Sequence, residues 1–261
     1  MEQFGYCHLT QVPLRAAASH SSEMVSQLLF GELFEILGNS RDFVQIRCWL
    51  DKYEGFISNK QFLPVSRNDF ELLVSSPRQF PVEPVSTIQE TNSNHSFYIL
   101  TGSNLSGFKN GFLKLGNVQY SYKHPVGQPK KPISSDEIVR IAMLFLNAPY
   151  LWGGRSLFGI DCSGLVQMVF NINGITLQRD SAYQAQTGRT IHLLSEATPG
   201  DLAFFDNKDG QITHVGIVLA GNKIIHSSGR VRIDNLDHYG VYDRQKGIYT
   251  HKLRLIKRII D

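Results

Sequence analysis

Apolar positions alternate along the first half of the chain and then change period. Between residues 1 and 65, runs such as Glu32-Leu-Phe-Glu-Ile-Leu, Phe43-Val-Gln-Ile-Arg-Cys-Trp and Glu54-Gly-Phe-Ile are short, β-rich and separated by turn signals. That is the pattern of a small all-β barrel. Residues 66–124 are richer in Ser, Asn, Pro and Gly, with strands predicted at Ser96-Phe-Tyr-Ile-Leu, Gly111-Phe-Leu-Lys-Leu and Asn117-Val-Gln-Tyr-Ser-Tyr. They read as a second, more diverged barrel, with a long β-arm as the alternative. Residues 125–133, which include Pro125-Val-Gly-Gln-Pro-Lys-Lys-Pro132, are stiff and polar and predict a linker.

Residues 134–261 show an α+β pattern. Ser134 or Ser135 caps a helix with Asp136 and Glu137 in its first turn, and Ile138, Ile141, Ala142 and Phe145 form its buried face. After Cys162, the residues Leu165, Val166, Val169 and Phe170 fall at helical spacing, and a shorter polar helix follows around Ser181-Ala-Tyr-Gln-Ala-Gln. Gly200-Asp-Leu-Ala-Phe-Phe, His214-Val-Gly-Ile-Val-Leu and Lys223-Ile-Ile-His-Ser-Ser then read as antiparallel strands, and Lys252-Leu-Arg-Leu-Ile-Lys-Arg-Ile-Ile as a final strand. A helix-borne cysteine packed on a β-sheet is the layout of papain-like enzymes.

Composition narrows the function classes. A hydrophobic fraction of 42% and a charged fraction of 19% describe an ordinary globular chain with ample core. The net charge of +3 is mild and no concentrated basic run tracks phosphates, so no nucleic-acid partner is expected. No apolar run reaches the length of a membrane span. The segment Met1-Glu2-Gln3-Phe4-Gly5-Tyr6-Cys7 lacks a basic region followed by an apolar core, and Cys7, Cys48 and Cys162 are too few and too odd for a disulfide framework. These features lead us to expect a cytoplasmic protein; a secreted protein trimmed of its leader is the alternative.

The chemistry centres on Asp161-Cys162-Ser163-Gly164, where a glycine-rich loop turns into a helix. Unpaired N–H groups and the dipole at a helix start favour a thiolate. A neutral thiol is a poor nucleophile, so Cys162 needs a base and an orienting group behind it. His214 and His226 lie on strands joined by a turn around Gly221-Asn222. A two-residue loop there puts the two imidazoles on opposite faces. An odd loop centred on Gly221 pairs Gly216 with His226 and brings both to one face, with Gly216 leaving room for the ring. The catalytic reading therefore demands an odd or bulged loop. Two bland readings stand beside it: Cys162 as an inert core residue, and a Cys/His/His zinc site with Asp161 or Asp201 as fourth ligand. The flanking glycines and paired histidines weigh against the first, and spacings of 52 and 12 residues match no common zinc pattern.

Four segments, Asp161-Cys162-Ser163-Gly164-Leu165-Val166, Pro199-Gly200-Asp201-Leu202, His214-Val215-Gly216-Ile217 and Ile225-His226-Ser227, resemble in order the motifs of NlpC-type cell-wall cysteine peptidases. The run from Leu14 through Glu32, followed by Tyr53-Glu54-Gly55-Phe56-Ile57, resembles a bacterial SH3-like domain. The whole chain is similar to the γ-D-glutamyl-L-diamino-acid endopeptidases, with two SH3-like barrels before a papain-like domain. By that resemblance Cys162 is the nucleophile, His214 the base and acid, His226 its orienting partner, and Tyr150 an oxyanion donor beside the backbone N–H of Cys162. The resemblance also implies that the first barrel covers the cleft, that the substrate needs a free N-terminal L-alanine, and that Asp161, Ser163, Ser181, Glu23 and Tyr53 bind it. The implied substrate is a murein tripeptide or tetrapeptide of the L-Ala-γ-D-Glu-diaminopimelate type, cut at the γ-D-Glu–diamino acid bond without metal or cofactor during peptide recycling. A secreted hydrolase of intact peptidoglycan and a non-catalytic wall-binding module are the competing functions.

Overall fold

The computed structural model describes residues 3–260 and divides into two compact units, Met1–Pro129 and Lys130–Asp261. In the first unit, seven strands between Phe4 and Val65 form one antiparallel sheet. Alternation sets its inner face: Val12 and Leu14 of Gln11–Arg15, and Val44, Ile46 and Cys48 of Phe43–Cys48, join Cys7, Leu28, Phe34 and Ile57 in one cluster. Cys7 and Cys48 are thus packing residues, and no disulfide joins the three cysteines.

The segment expected as a second barrel is built differently. It opens with a helix, Arg67–Ser75, that the irregular apolar spacing hides. Ser66 caps it, its Oγ accepting from the Asp69 N–H at 3.1 Å. Four antiparallel strands follow, in the order Ser96–Leu100, Val85–Glu90, Val118–Ser121, Phe112–Leu115. Their apolar side chains, with Phe70 and Leu73 of the helix, join Phe4, Tyr6, Phe30, Leu33 and Val65 in a single cluster. The two segments share a core, because a four-stranded sheet this short has one apolar face and must bury it against a neighbour. The predicted linker also starts inside the fold, since Val126–Gly127 pairs with Phe80–Pro81; the units divide between Pro129 and Lys130.

The second unit begins with the helix Ser135–Leu144, whose N-cap Ser134 accepts from the Glu137 N–H at 3.2 Å and whose Ile138, Ile141 and Ala142 are buried. The cysteine helix, Cys162–Ile172, is buried on nearly every side rather than along one stripe. It packs on the strands Ile212–Leu219 and Lys223–Ser228. Seven antiparallel strands follow the order Arg189–Ile191, Ile248–Arg258, Leu202–Asp206, Ile212–Leu219, Lys223–Ser228, Arg230–Leu236, Gly240–Asp243. Gly240–Asp243 pairs back onto Ile248–Arg258, so six of the seven strands close into a ring. Ala203, Phe205, Val218, Ile224, Leu236, Val241 and Ile256 fill one face of it. Among the described residues, no helix is long and apolar enough to cross a membrane.

Candidate active site

Cys162 is the first residue of its helix, and Asp161 is the N-cap. The cap is unusually well braced. Asp161 Oδ1 accepts from the Gly164 N–H at 2.7 Å and from Arg179 Nη1 at 3.0 Å, while Oδ2 accepts from the Gly153 N–H at 2.8 Å and from Arg179 Nη2 at 2.6 Å. The Arg179 side chain is 1% exposed. Its Nη1 also donates to Ser163 Oγ at 2.9 Å. The sequence reading gives Asp161 to the substrate's amine; in the structure its charge is balanced by a buried, bidentate arginine. Ser181 opens the short helix Ser181–Gln184, whose Gln184 side chain donates to the Ser163 carbonyl at 3.0 Å and so ties it to the cysteine helix.

Glycines let the preceding hairpin lie directly against that helix start. A Cβ at Gly164 would meet the Gly154 carbonyl oxygen at 2.3 Å, and one at Gly154 would meet the Gly159 carbonyl oxygen at 2.3 Å. Tyr150, on the same segment, bridges to Ile160 and donates its N–H to the Gly229 carbonyl at 3.0 Å. Its hydroxyl is pushed up to about 12, by burial first and then by the charges of Cys162 and Asp161, so it remains a proton donor.

The turn between the two histidine strands has the odd length that cooperation requires. Gly216 pairs with His226 and Leu219 with Lys223, leaving three residues centred on Gly221. A Cβ at Gly216 would approach His226 Cβ to 2.8 Å, so the glycine does make room for the histidine. His214 Nε2 and His226 Nδ1 are 2.8 Å apart. The ladder between these strands ends at Gly216 and His226. One residue beyond, the Val215 backbone N–H turns to the Cys162 sulfur, as does the Ser163 N–H. The thiol thus contacts the backbone adjoining His214, and the use of Nε2 by His226 leaves Nδ1 as that ring's other nitrogen.

Electrostatics correct the expectation of a resting thiolate. Burial is the largest influence on Cys162 and, with the Asp161 charge, raises it to about 11 against the two amides and Arg179. His214 is held well below its ordinary value by burial, then by His251 and His226. Thiol and imidazole both rest neutral.

Two neighbours escaped the sequence reading. His251 stacks on His214 with ring centroids 4.1 Å apart. Its own value falls to about 4, chiefly through burial. Asp234 Oδ2 lies 3.0 Å from His226 Nε2, and its Oδ1 accepts from Arg232 Nη2 at 2.8 Å. Register was the available signal: Arg232 pairs directly with His226, and Asp234, two residues on, shares its face. Ligand nitrogens of His214, His226 and His251 all lie within 4.8 Å of one another. Two nitrogens on one tetrahedral zinc stand roughly 3.3 Å apart, so the His214–His226 approach is that of a hydrogen bond, not of two ligands. Asp201, the other zinc candidate, is held by Arg258 at 2.7 and 2.8 Å.

Glu23 and Tyr53 belong to the first unit. Glu23 is exposed and its carbonyl accepts from the Ala16 N–H at 3.0 Å; Tyr53 is half-buried against the first cluster.

Residues 147–250 match the NlpC/P60 family, and residues 14–62 match the bacterial dipeptidyl-peptidase Sh3 domain. The γ-D-glutamyl-L-lysine dipeptidyl-peptidase of Bacillus subtilis is 29% identical over 226 residues, covering 77% of this chain and 71% of that protein. The Bacillus cereus protein of the same name is 35% identical over 96 residues, 36% of this chain and 28% of that one. A solved NlpC/P60 family protein from Bacillus cereus superposes over 99% of this chain and 100% of its own, with a TM-score of 0.82 at 18% identity. Residues 147–250 therefore form an NlpC/P60 family domain, and residues 14–62 a bacterial SH3 domain.

Proposed function

We propose that the protein is a cysteine endopeptidase that hydrolyses the γ-D-Glu–diamino acid bond of murein peptides bearing a free N-terminal L-alanine, in the recycling of cell-wall peptides in the cytoplasm. The observation that carries this reading is a helix-start thiol, contacted by the Val215 amide, beside a His214–His226 pair joined at 2.8 Å. The similarity to the γ-D-glutamyl-L-lysine dipeptidyl-peptidase of Bacillus subtilis supports the bond assigned. The substrate class is a murein tripeptide or tetrapeptide, with diaminopimelate or lysine as the diamino acid.

In this mechanism His214 Nδ1 takes the Cys162 proton as sulfur attacks the γ-carbonyl. The Tyr150 hydroxyl and the Cys162 N–H meet the oxyanion. Protonated His214 gives its proton to the leaving amine, and water activated by His214 then releases the thioester. Ser163 and Ser181 contribute polar contacts to the substrate. Asp161 is assigned to the substrate's free amine, with its charge shared with Arg179.

The purified protein, with its thiol reduced, is expected to release free diaminopimelate or lysine from L-Ala-γ-D-Glu-diamino acid peptides. Acetylating the alanine amine should abolish release, and Cys162→Ala should fold normally and be inactive. Cleavage of sacculi and of N-blocked peptides would favour a hydrolase of intact peptidoglycan. No release at any pH would leave a wall-binding module.

A further inference from the structure

Behind the two histidines stands a chain of polar groups that the reaction, as described, does not use. His226 Nε2 faces Asp234 Oδ2 at 3.0 Å. Asp234 Oδ1 is held by Arg232 Nη2 at 2.8 Å, and Arg232 Nη1 lies 3.3 Å from Asp243 Oδ2. Asp243 is fixed in turn by the loop N–H groups of Gln245 and Lys246 at 2.9 and 3.2 Å. The side chains of His226 and Asp234 are 1% and 9% exposed, so bulk water does not relax their hydrogen-bond directions. We propose that Asp234 is a positioning residue for the catalytic base: through His226 it selects the tautomer of His214 whose Nδ1 can accept the Cys162 proton.

This role presupposes the cysteine-peptidase reading, and it follows from the count of donors along the series. An ionised carboxylate only accepts. Burial opposes the charge on Asp234, but the bonds from His226 and Arg232 outweigh it and hold the carboxyl below its usual range. His226 must therefore donate from Nε2. A neutral imidazole has one N–H, so His226 Nδ1 is bare and accepts. The group 2.8 Å from it, His214 Nε2, must then be the donor. His214 in turn has its bare nitrogen at Nδ1. Each link fixes the next, and the polarity of the whole series is set at Asp234.

Other neighbours do not impose the opposite order. His251, stacked on His214, is uncharged at neutral pH. Arg232 is engaged by both Asp234 and Asp243. During attack the S–H bond breaks and an Nδ1–H bond forms on His214. The resulting imidazolium donates from Nε2 to His226 Nδ1. The carboxylate keeps no proton of its own and serves to orient and to stabilise, two rings from the sulfur.

Asp234→Asn provides the decisive test, because Asn keeps the shape while its carboxamide can donate to His226 Nε2. That donation inverts both tautomers and puts N–H on His214 Nδ1, facing the thiol. Nitrogen NMR of the histidine rings near neutral pH should show Nε2–H on both His214 and His226 in the wild type, and Nδ1–H on both in Asp234→Asn. On the peptide substrate, Asp234→Asn should lower kcat by about a hundredfold with little change in KM, and Asp234→Ala by only about tenfold, because a mis-set donor is worse than a missing acceptor. Asp234→Glu should recover most of the loss. A purely structural Asp234 gives the reverse order, with Asn mild and Ala severe. Equal activity of wild type and Asp234→Asn, or Nδ1–H on His226 in the wild type, overturns the proposal. Should the wild type cleave none of the peptides offered, the proposed function fails separately. The ring tautomers and the rate of Cys162 alkylation by iodoacetamide, expected to fall about tenfold or more in Asp234→Asn, still decide the role of Asp234.

Discussion

In the proposed reaction Cys162, raised to about 11, and His214, held well below its ordinary value, both start uncharged. The pH dependence follows from the sign of the imidazole shift. A His214 already carrying a proton cannot take one from the thiol, so activity is lost as pH falls through its value. Because burial, His251 and His226 depress that value, the loss begins below the ordinary histidine range rather than within it. His251→Gln removes one of these influences and is expected to move the acid limb of kcat/KM to higher pH, toward that range. A pH–rate profile of the two proteins checks this; an unmoved limb would show that His251 acts on His214 only by packing. Asp161 has a partner that residue identity alone does not reveal. Its place before the cysteine is visible in the chain, but its buried partner Arg179 lies 18 residues away and offers no local signal.

Elements were legible where the period was clean and turn chemistry unambiguous. The helix Ser135–Leu144, the cysteine helix and the strands Leu202–Asp206, Ile212–Leu219 and Lys223–Ser228 follow from apolar spacing and from Ser134 and Asp161 as caps. The odd turn at Gly221 could be stated only as a demand of the chemistry, because loop length, not composition, sets register. The helix Arg67–Ser75 was missed because only Phe70 and Leu73 of its nine residues are buried. Asp234 was missed because its partner is reached across a hairpin rather than along the chain. The start of the cysteine helix also depends on what is missing at Gly164, where a Cβ would meet the Gly154 carbonyl oxygen at 2.3 Å. Gly164→Ala improves helix propensity, yet it should destabilise the catalytic unit by about 1–3 kcal/mol, as overpacked positions do. It should also lower kcat by displacing Cys162. Thermal unfolding and kinetics of that variant test the point, and an increase in Tm with kcat unchanged would refute it.

Across the whole catalytic unit, the six-stranded ring draws its chemistry from distant parts of the chain. Leu202–Asp206 and Ile212–Leu219 supply the strand pair that carries His214, Arg230–Leu236 supplies Asp234, and Ile248–Arg258 supplies His251. That last strand also sends Arg258 back to Asp201 at the start of Leu202–Asp206. Removal of Arg258 leaves the buried Asp201 carboxylate without its cationic partner, which costs about 3–5 kcal/mol.

Because one strand seals the ring, the unit has almost no open border while intact. The three-residue Arg189–Ile191 is the strand at the margin. Loss of Ile248–Arg258 would uncover the pairing groups of both Leu202–Asp206 and Gly240–Asp243 at once. Unpaired edges of that kind recruit other chains. A stop codon after Gly247 is therefore expected to give an aggregating, inactive product rather than a weakened enzyme, measurable as insoluble protein on expression.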